Sequence, residues 1–281
     1  MGKVYHALAA LLVAAAGLAA ADVPLGQPPP GKTFLVILSH HDDHTWEWGF
    51  GGFLARLVDS GWTGYYVRTT NDEKDGREWG PNDQVNHKES IAAVKALGLK
   101  EVISLNWRND HMSSVPLKEV RAQYILLIRK YRPDAVMSWN PWGHYDRNPD
   151  HRRVARAAGE AVWMAGLENV HPEHLAAGLK PHRVPVVYYS QRADYGRGHA
   201  PNIAIEFNEA QLLRKVEAYW AHRNVRGVPA SPEIKRREME EPSLAAGKRA
   251  GVKYAEMFYR LEEWDHLPGL RDYLTENARA K

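Results

Sequence analysis

The chain has 281 residues, 44% hydrophobic and 25% charged, a formal net charge of +3 and no cysteine. That is a globular composition, long enough for one large domain or two small ones, and it excludes disulfides as a source of stability. The positive charge is spread out: Arg152-Arg153 and Lys235-Arg236-Arg237 are short runs that read as solvated helix faces, so nucleic-acid binding is not indicated.

Lys3, an apolar stretch from Ala7 to Ala20, and Ala19-Ala20-Ala21 before Asp22 have the order of a secretory signal peptide. The stretch is shorter than the about 20 apolar residues that a membrane span needs. We expect a signal peptide over 1–21, cut after Ala21, with a periplasmic or secreted product and no stable membrane insertion afterwards. Residues 22–32 carry Pro24, Pro28, Pro29 and Pro30 and read as an extended linker. A single domain is expected over 33–281. Nothing in the sequence sets its oligomeric state.

Strand-like and helix-like segments then alternate. Thr33–Ser39 is a short apolar run without polar alternation, as in a buried parallel strand. Trp46–Ser60 reads as a helix with Thr45 as N-cap. Gly64–Thr70 is the second strand. Asn86–Leu97 is a helix closed by Gly98. Val102–Asn106 is the third strand, Leu117–Tyr131 a helix, Ala135–Trp139 the fourth strand and His151–Ala165 a helix. Val186–Ser190 and Ile203–Phe207 are further strands, and Glu209–His222 is a helix. Glu238 to Pro242 reads as a helix end, since proline cannot continue one. Val252–Leu261 reads as a terminal helix, with Tyr254, Met257, Phe258 and Leu261 on one face. The βαβα order predicts an α/β fold, a Rossmann-like three-layer sandwich with a mostly parallel sheet. Gly49-Phe50-Gly51-Gly52 lacks the G-x-G-x-x-G spacing and reads as close helix packing, against a nucleotide loop.

His40-His41-Asp42-Asp43 stands directly after the first strand, at the edge where open α/β sheets put their chemistry. Imidazole and carboxylate are zinc ligands, and catalytic zinc sites use three protein ligands. His40 and Asp43, three apart on a turn, can converge on one metal. Asp42 between them is placed to act as general base. A third ligand must come from another loop. The candidate is His151, in Asn148-Pro149-Asp150-His151 after the fourth strand, which neighbours the first in the common doubly wound order.

These segments resemble the PIG-L/LmbE-like metal-dependent deacetylases. The family signature [A/S]-H-P-D-D-E followed by G-x-G-G-x-L-A reads here Ser39-His40-His41-Asp42-Asp43-His44, then Gly49-Phe50-Gly51-Gly52-Phe53-Leu54-Ala55. The second signature, H-P-D-H-R, reads Asn148-Pro149-Asp150-His151-Arg152. Weaker echoes are Thr70-Asn71-Asp72-Glu73 and Tyr254-Ala255-Glu256-Met257-Phe258. The resemblance implies a zinc-dependent hydrolase that removes acetyl from an N-acetylated amino sugar or related amide. Fe(II) or Mn(II) are possible occupants of such a site. By resemblance His40, Asp43 and His151 hold the metal, Asp42 takes a proton from the attacking water, and Asp150 orients the histidine loop.

The chain departs from the family in three places. His41 replaces the family's proline and His44 its glutamate; each reads as a loop or helix-start histidine, or as an added ligand or substrate contact. Asn148 replaces a histidine that often supplies an acid or oxyanion contact, and asparagine cannot transfer a proton. His144, on the same loop, is the candidate acid in its place. Arg77, Asp110 and Trp142 are the candidate substrate contacts, against a reading of the first two as surface or turn residues. The rival reading from another class is a carbohydrate-binding protein with weakened turnover; Asn148 favours it, and intact His40, Asp42, Asp43 and His151 favour the enzyme.

Overall fold

Every side chain from Phe34 to Leu38 is fully buried, because β1 (Thr33–Leu38) lies mid-sheet with both faces covered. The computed structural model describes residues 31–142, 146–190, 200–225 and 231–262. The expected signal peptide, nearly all of the linker and His144 lie outside them. Among the described residues no helix is long and apolar enough to cross a membrane.

The chain continues through α1 (Gly51–Asp59), β2 (Thr63–Thr70), α2 (Asp83–Leu97), β3 (Glu101–Trp107) and a 3₁₀ turn at Met112–Ser114. It then forms α3 (Leu117–Tyr131), β4 (Ala135–Trp139), α4 (Pro149–Met164), α5 (Pro172–Ala176) and β5 (Val186–Ser190). Last come β6 (Ile203–Phe207), α6 (Glu209–Ala221), α7 (Pro232–Ala250) and β7 (Tyr254–Glu262). The sheet has seven strands in the order β3-β2-β1-β4-β5-β7-β6. β1 to β5 pair in parallel, with Phe34 opposite both Gly64 and Ala135, and β7 runs antiparallel to β5 and β6. The α/β, mostly parallel reading therefore holds. The pairing of β1 with β4 is the switch point, so the loops after these two strands open side by side at one edge.

Three expectations about elements are corrected. Residues 254–262 form a strand, not a helix. As a strand between two others it carries apolar or aromatic residues on both faces, without strict alternation, and Tyr254, Phe258 and Leu261 then imitate helical spacing. Pro242 lies inside α7 and does not end it. It sits on the exposed side, where a carbonyl left without its helical donor meets water. Finally, α1 begins at Gly51, and Thr45 does not cap it. Residues 42–50 form tight turns instead, with Thr45 N–H donating to Asp42 O (2.8 Å), Gly49 N–H to Trp46 O (2.8 Å) and Phe50 N–H to His44 O (3.2 Å).

The start of α1 is fixed from across the sheet. Glu256, on β7, accepts the N–H groups of Gly52 and Phe53, each at 2.9 Å. A carboxylate is favoured at a helix N-terminus. Its charge is balanced by the buried Lys215, whose Nζ lies 2.8 Å away. The short glycines let this happen, since a Cβ on Gly52 would stand 2.6 Å from the Phe207 ring.

Candidate metal centre

The loop after β1 carries His40 and Asp43. Asp43 Oδ2 accepts the backbone N–H groups of Ser39 (3.0 Å) and His40 (2.8 Å), which folds the carboxylate back over the strand end. The hydroxyl of Tyr66, on β2, donates to the carbonyl of His40. The other half of the site comes from α4. Asn148 is its N-cap, with Oδ1 accepting Asp150 N–H at 2.8 Å, and Pro149 takes the first turn, where a missing N–H costs nothing. That cap places Asp150 and His151 on the first turn of the helix, facing the β1 loop.

The side chains of His40, Asp43 and His151 converge, each contributing one atom within 4.8 Å of the others. His151 Nε2 is 3.2 Å from Asp43 Oδ1, and His40 Nδ1 is 3.4 Å from Asp43 Oδ2. Each imidazole is anchored through its other nitrogen. His40 Nε2 faces Asp150 Oδ2 at 3.3 Å, and His151 Nδ1 faces Asp146 Oδ2 at 2.6 Å. With those nitrogens donating, His40 Nδ1 and His151 Nε2 present lone pairs to each other across 3.0 Å. Only a proton or a cation relieves that juxtaposition. Two imidazole nitrogens, one carboxylate and a carboxylate behind each imidazole are a donor set that fits a divalent metal.

The electrostatics agree. Burial disfavours charge on His40 and His151, yet Asp43, with Asp150 on one ring and Asp146 on the other, raises both imidazoles above their ordinary value. Burial pushes Asp43 upward, and the two histidines outweigh it and hold the carboxyl well below the carboxylate range. The site is thus a negative pocket that attracts a positive occupant. Burial also works against charge on His41, but Asp42 and Asp72 hold that imidazole up at about 9.

Asp42 points differently. Its Oδ2 accepts from Trp46 Nε1 at 2.6 Å, and burial pushes its carboxyl up to about 6 against the pull of His41. His40, Asp42, Asp43, Asn148 and His151 line one cleft of about 620 Å³, and Trp46 and Trp48 form a wall of it. Those two indoles stack with ring centres 4.8 Å apart and planes 6° off parallel. Lys74, Asp75, Asn109 and Asp110 also line the cleft.

Of the residues singled out in the sequence, the structure brings His40, Asp42, Asp43, Asn148, His151 and Asp110 to the cleft. Asp150 lies behind it, also accepting the N–H groups of Asp110 (2.7 Å) and Met112 (3.1 Å). Two expected substrate contacts stand outside the lining. Arg77 turns away to the carbonyl of Arg223, and Trp142 packs edge-on against Tyr189 at 5.2 Å. His144 lies outside the described residues. Sequence reasoning missed Asp146, Trp46 and Trp48. Asp146, two residues before the cap, was readable as a loop acid near a histidine; the indoles were concealed by the helix expected over 46–60.

A family model described as GlcNAc-PI de-N-acetylase, PIG-L, matches residues 35–162, a span that holds His40 through His151. The diacetylchitobiose deacetylase of Thermococcus kodakarensis is 31% identical over 239 residues, covering 80% of this chain and 81% of that protein. Among solved structures, the N,N'-diacetylchitobiose deacetylase of Pyrococcus horikoshii, in complex with its inhibitor, aligns with a TM-score of 0.71 and 27% identity over 84% of this chain and 86% of that one. The conserved protein TT1542 of Thermus thermophilus aligns with a TM-score of 0.66 and 27% identity over 85% and 98%. With both signatures at one sheet edge and this coverage of its relatives, the chain belongs to the PIG-L family of de-N-acetylases.

Proposed function

We propose that this protein is a zinc-dependent N-deacetylase acting on N-acetylated amino sugars of the chitobiose type. The observation that carries the reading is the convergence of His40, Asp43 and His151 beside Asp42 in one cleft. The 31% identical relative, a diacetylchitobiose deacetylase, supports the substrate class.

His40, Asp43 and His151 would hold the metal, for which Fe(II) or Mn(II) could substitute. When bound, such an ion supplies Lewis-acid polarisation of the amide carbonyl and a more acidic water. Asp42 takes a proton from the water as it adds to the acetamide carbon. A carboxyl near 6 is mostly ionised at neutral pH yet basic enough to accept that proton. Trp46 fixes the carboxylate through its indole N–H and is a positioning residue. The Asn148 cap uses its amide oxygen, which leaves its amide nitrogen as a donor toward the developing oxyanion. The C–N bond then breaks, giving acetate and a free amine. We assign the proton for that amine to His144. The stacked indoles give a flat face for a sugar ring, and Lys74, Asp75, Asn109 and Asp110 in the same lining offer partners for its hydroxyls. The signal-like residues 1–21 fit export of this activity to the periplasm or beyond.

The test is acetate release by zinc-loaded protein over N,N'-diacetylchitobiose, N-acetylglucosamine and simple acetamides. Turnover of the sugars above the simple acetamides is expected. Tight sugar binding with no acetate released would favour the rival, a carbohydrate-binding protein on the same fold.

A further inference from the structure

His41 and His44, two of the three departures from the family motifs, do not line the cleft. They turn to its far side, where a second cluster lies. His41 comes from the β1 loop, Glu89 from α2 and His222 from the end of α6. His41 and His222 are fully buried, with ring centres 5.1 Å apart and planes at 75°. His41 Nε2 lies 3.9 Å from Glu89 Oε2, and one ligand atom from each of the three residues lies within 4.8 Å of the others. Among the described residues, none of the ring nitrogens of His41 and His222 has a hydrogen-bond partner, nor has Glu89 Oε2. Buried polar atoms in folded proteins nearly always have one. Leaving aside His41 Nδ1, which has the Asp72 carboxylate 3.5 Å away, four such atoms at one place call for an occupant.

The cluster is also built. Glu89 Oε1 accepts the N–H groups of Arg223 (3.0 Å) and Asn224 (2.9 Å), which fixes the carboxylate against the chain just after His222. The buried Lys235 donates to the His222 carbonyl at 3.3 Å. Asp72 accepts the His41 backbone N–H at 2.8 Å, and its Oδ2 stands 3.5 Å from His41 Nδ1. A carboxylate behind one imidazole nitrogen, with the other facing a second histidine and a glutamate, is how metal sites set the tautomer of a ligand. The ring of His44, 5.9 Å from His222, adds a further imidazole with unpartnered nitrogens.

We propose that His41, Glu89 and His222 form a second divalent-metal site, of a composition that zinc takes, that ties the β1 loop to α2 and α6. None of the three lines the cleft, but His41 Nδ1 lies 3.9 Å from Asp42 Oδ1, so the site holds the loop that carries Asp42 and Asp43. The alternative is no metal, with a protonated His41 in an ion pair with Glu89 at 3.9 Å.

The test is zinc titration of the chelator-treated full-length chain, read as metal content. Glu89→Gln keeps the oxygen that receives the Arg223 and Asn224 N–H groups and loses the carboxylate. It should bind one equivalent less than the parent chain. The double variant Asp43→Ala with His151→Ala should still bind one equivalent, and its zinc absorption edge should show imidazole ligands. This outcome does not depend on the deacetylase reading. Equal zinc in the parent and Glu89→Gln, or no zinc or only oxygen ligation in the double variant, overturns the second site.

Discussion

The indole of Trp46 donates to Asp42 at 2.6 Å, and hydrogen bonds to charged groups contribute about 1.5–3 kcal/mol. Trp46→Phe keeps an aromatic ring, a smaller one, and loses the bond. We expect kcat to fall roughly 10- to 100-fold with zinc content unchanged, a split that activity and metal analysis on one sample will show. Asp146 is a different case, because it acts through His151. Asp146→Ala should weaken zinc affinity by about 10- to 100-fold, as loss of a carboxylate behind a ligand imidazole does, and competition against a chelator measures it. The contrast shows what was legible at this scale. The convergence of His40, Asp42, Asp43 and His151 on one cleft could be read because spacing and loop position suffice to bring these side chains together. Trp46 and the outward turn of Arg77 could not, because spacing carries no side-chain direction; Asp146 was legible only as an acid on the loop before the cap.

Among the elements, α6 has the most complete start. Asn208 Oδ1 accepts Gln211 N–H at 3.0 Å and Gln211 Oε1 accepts Asn208 N–H at 2.8 Å, a reciprocal capping box. Asn208→Ala should destabilise the fold by about 0.5–2 kcal/mol, measured by denaturant unfolding, with little change in turnover. Most elements were readable because apolar periodicity and Gly98 mark them. The start of α1 was not, since Glu256, which accepts its first N–H groups, lies some 200 positions away, on β7 (|i−j| of 204 and 203). β7 was misread because a strand apolar on both faces loses the alternation that distinguishes it from a helix.

At the scale of the whole molecule, the strand order β3-β2-β1-β4-β5-β7-β6 brings residues 40–43 and 148–151 to one edge although they lie over a hundred positions apart in sequence. A metal that joins them stabilises only the folded chain. At free zinc a hundredfold above the dissociation constant the linkage is about 2.7 kcal/mol. Chelation should therefore lower Tm by roughly 5–10 °C, since about 1 kcal/mol shifts a domain of this size by 2–4 °C. An unchanged Tm would remove the metal from the stability of the fold. The most direct measurement is acetate release from N,N'-diacetylchitobiose as chelated protein is reloaded with zinc, beside Asp42→Asn treated identically. Turnover should rise with zinc in the parent chain, while Asp42→Asn binds zinc equally and loses activity by about 10²- to 10⁴-fold. Full activity in Asp42→Asn, or acetate release from the chelated parent, would contradict the account.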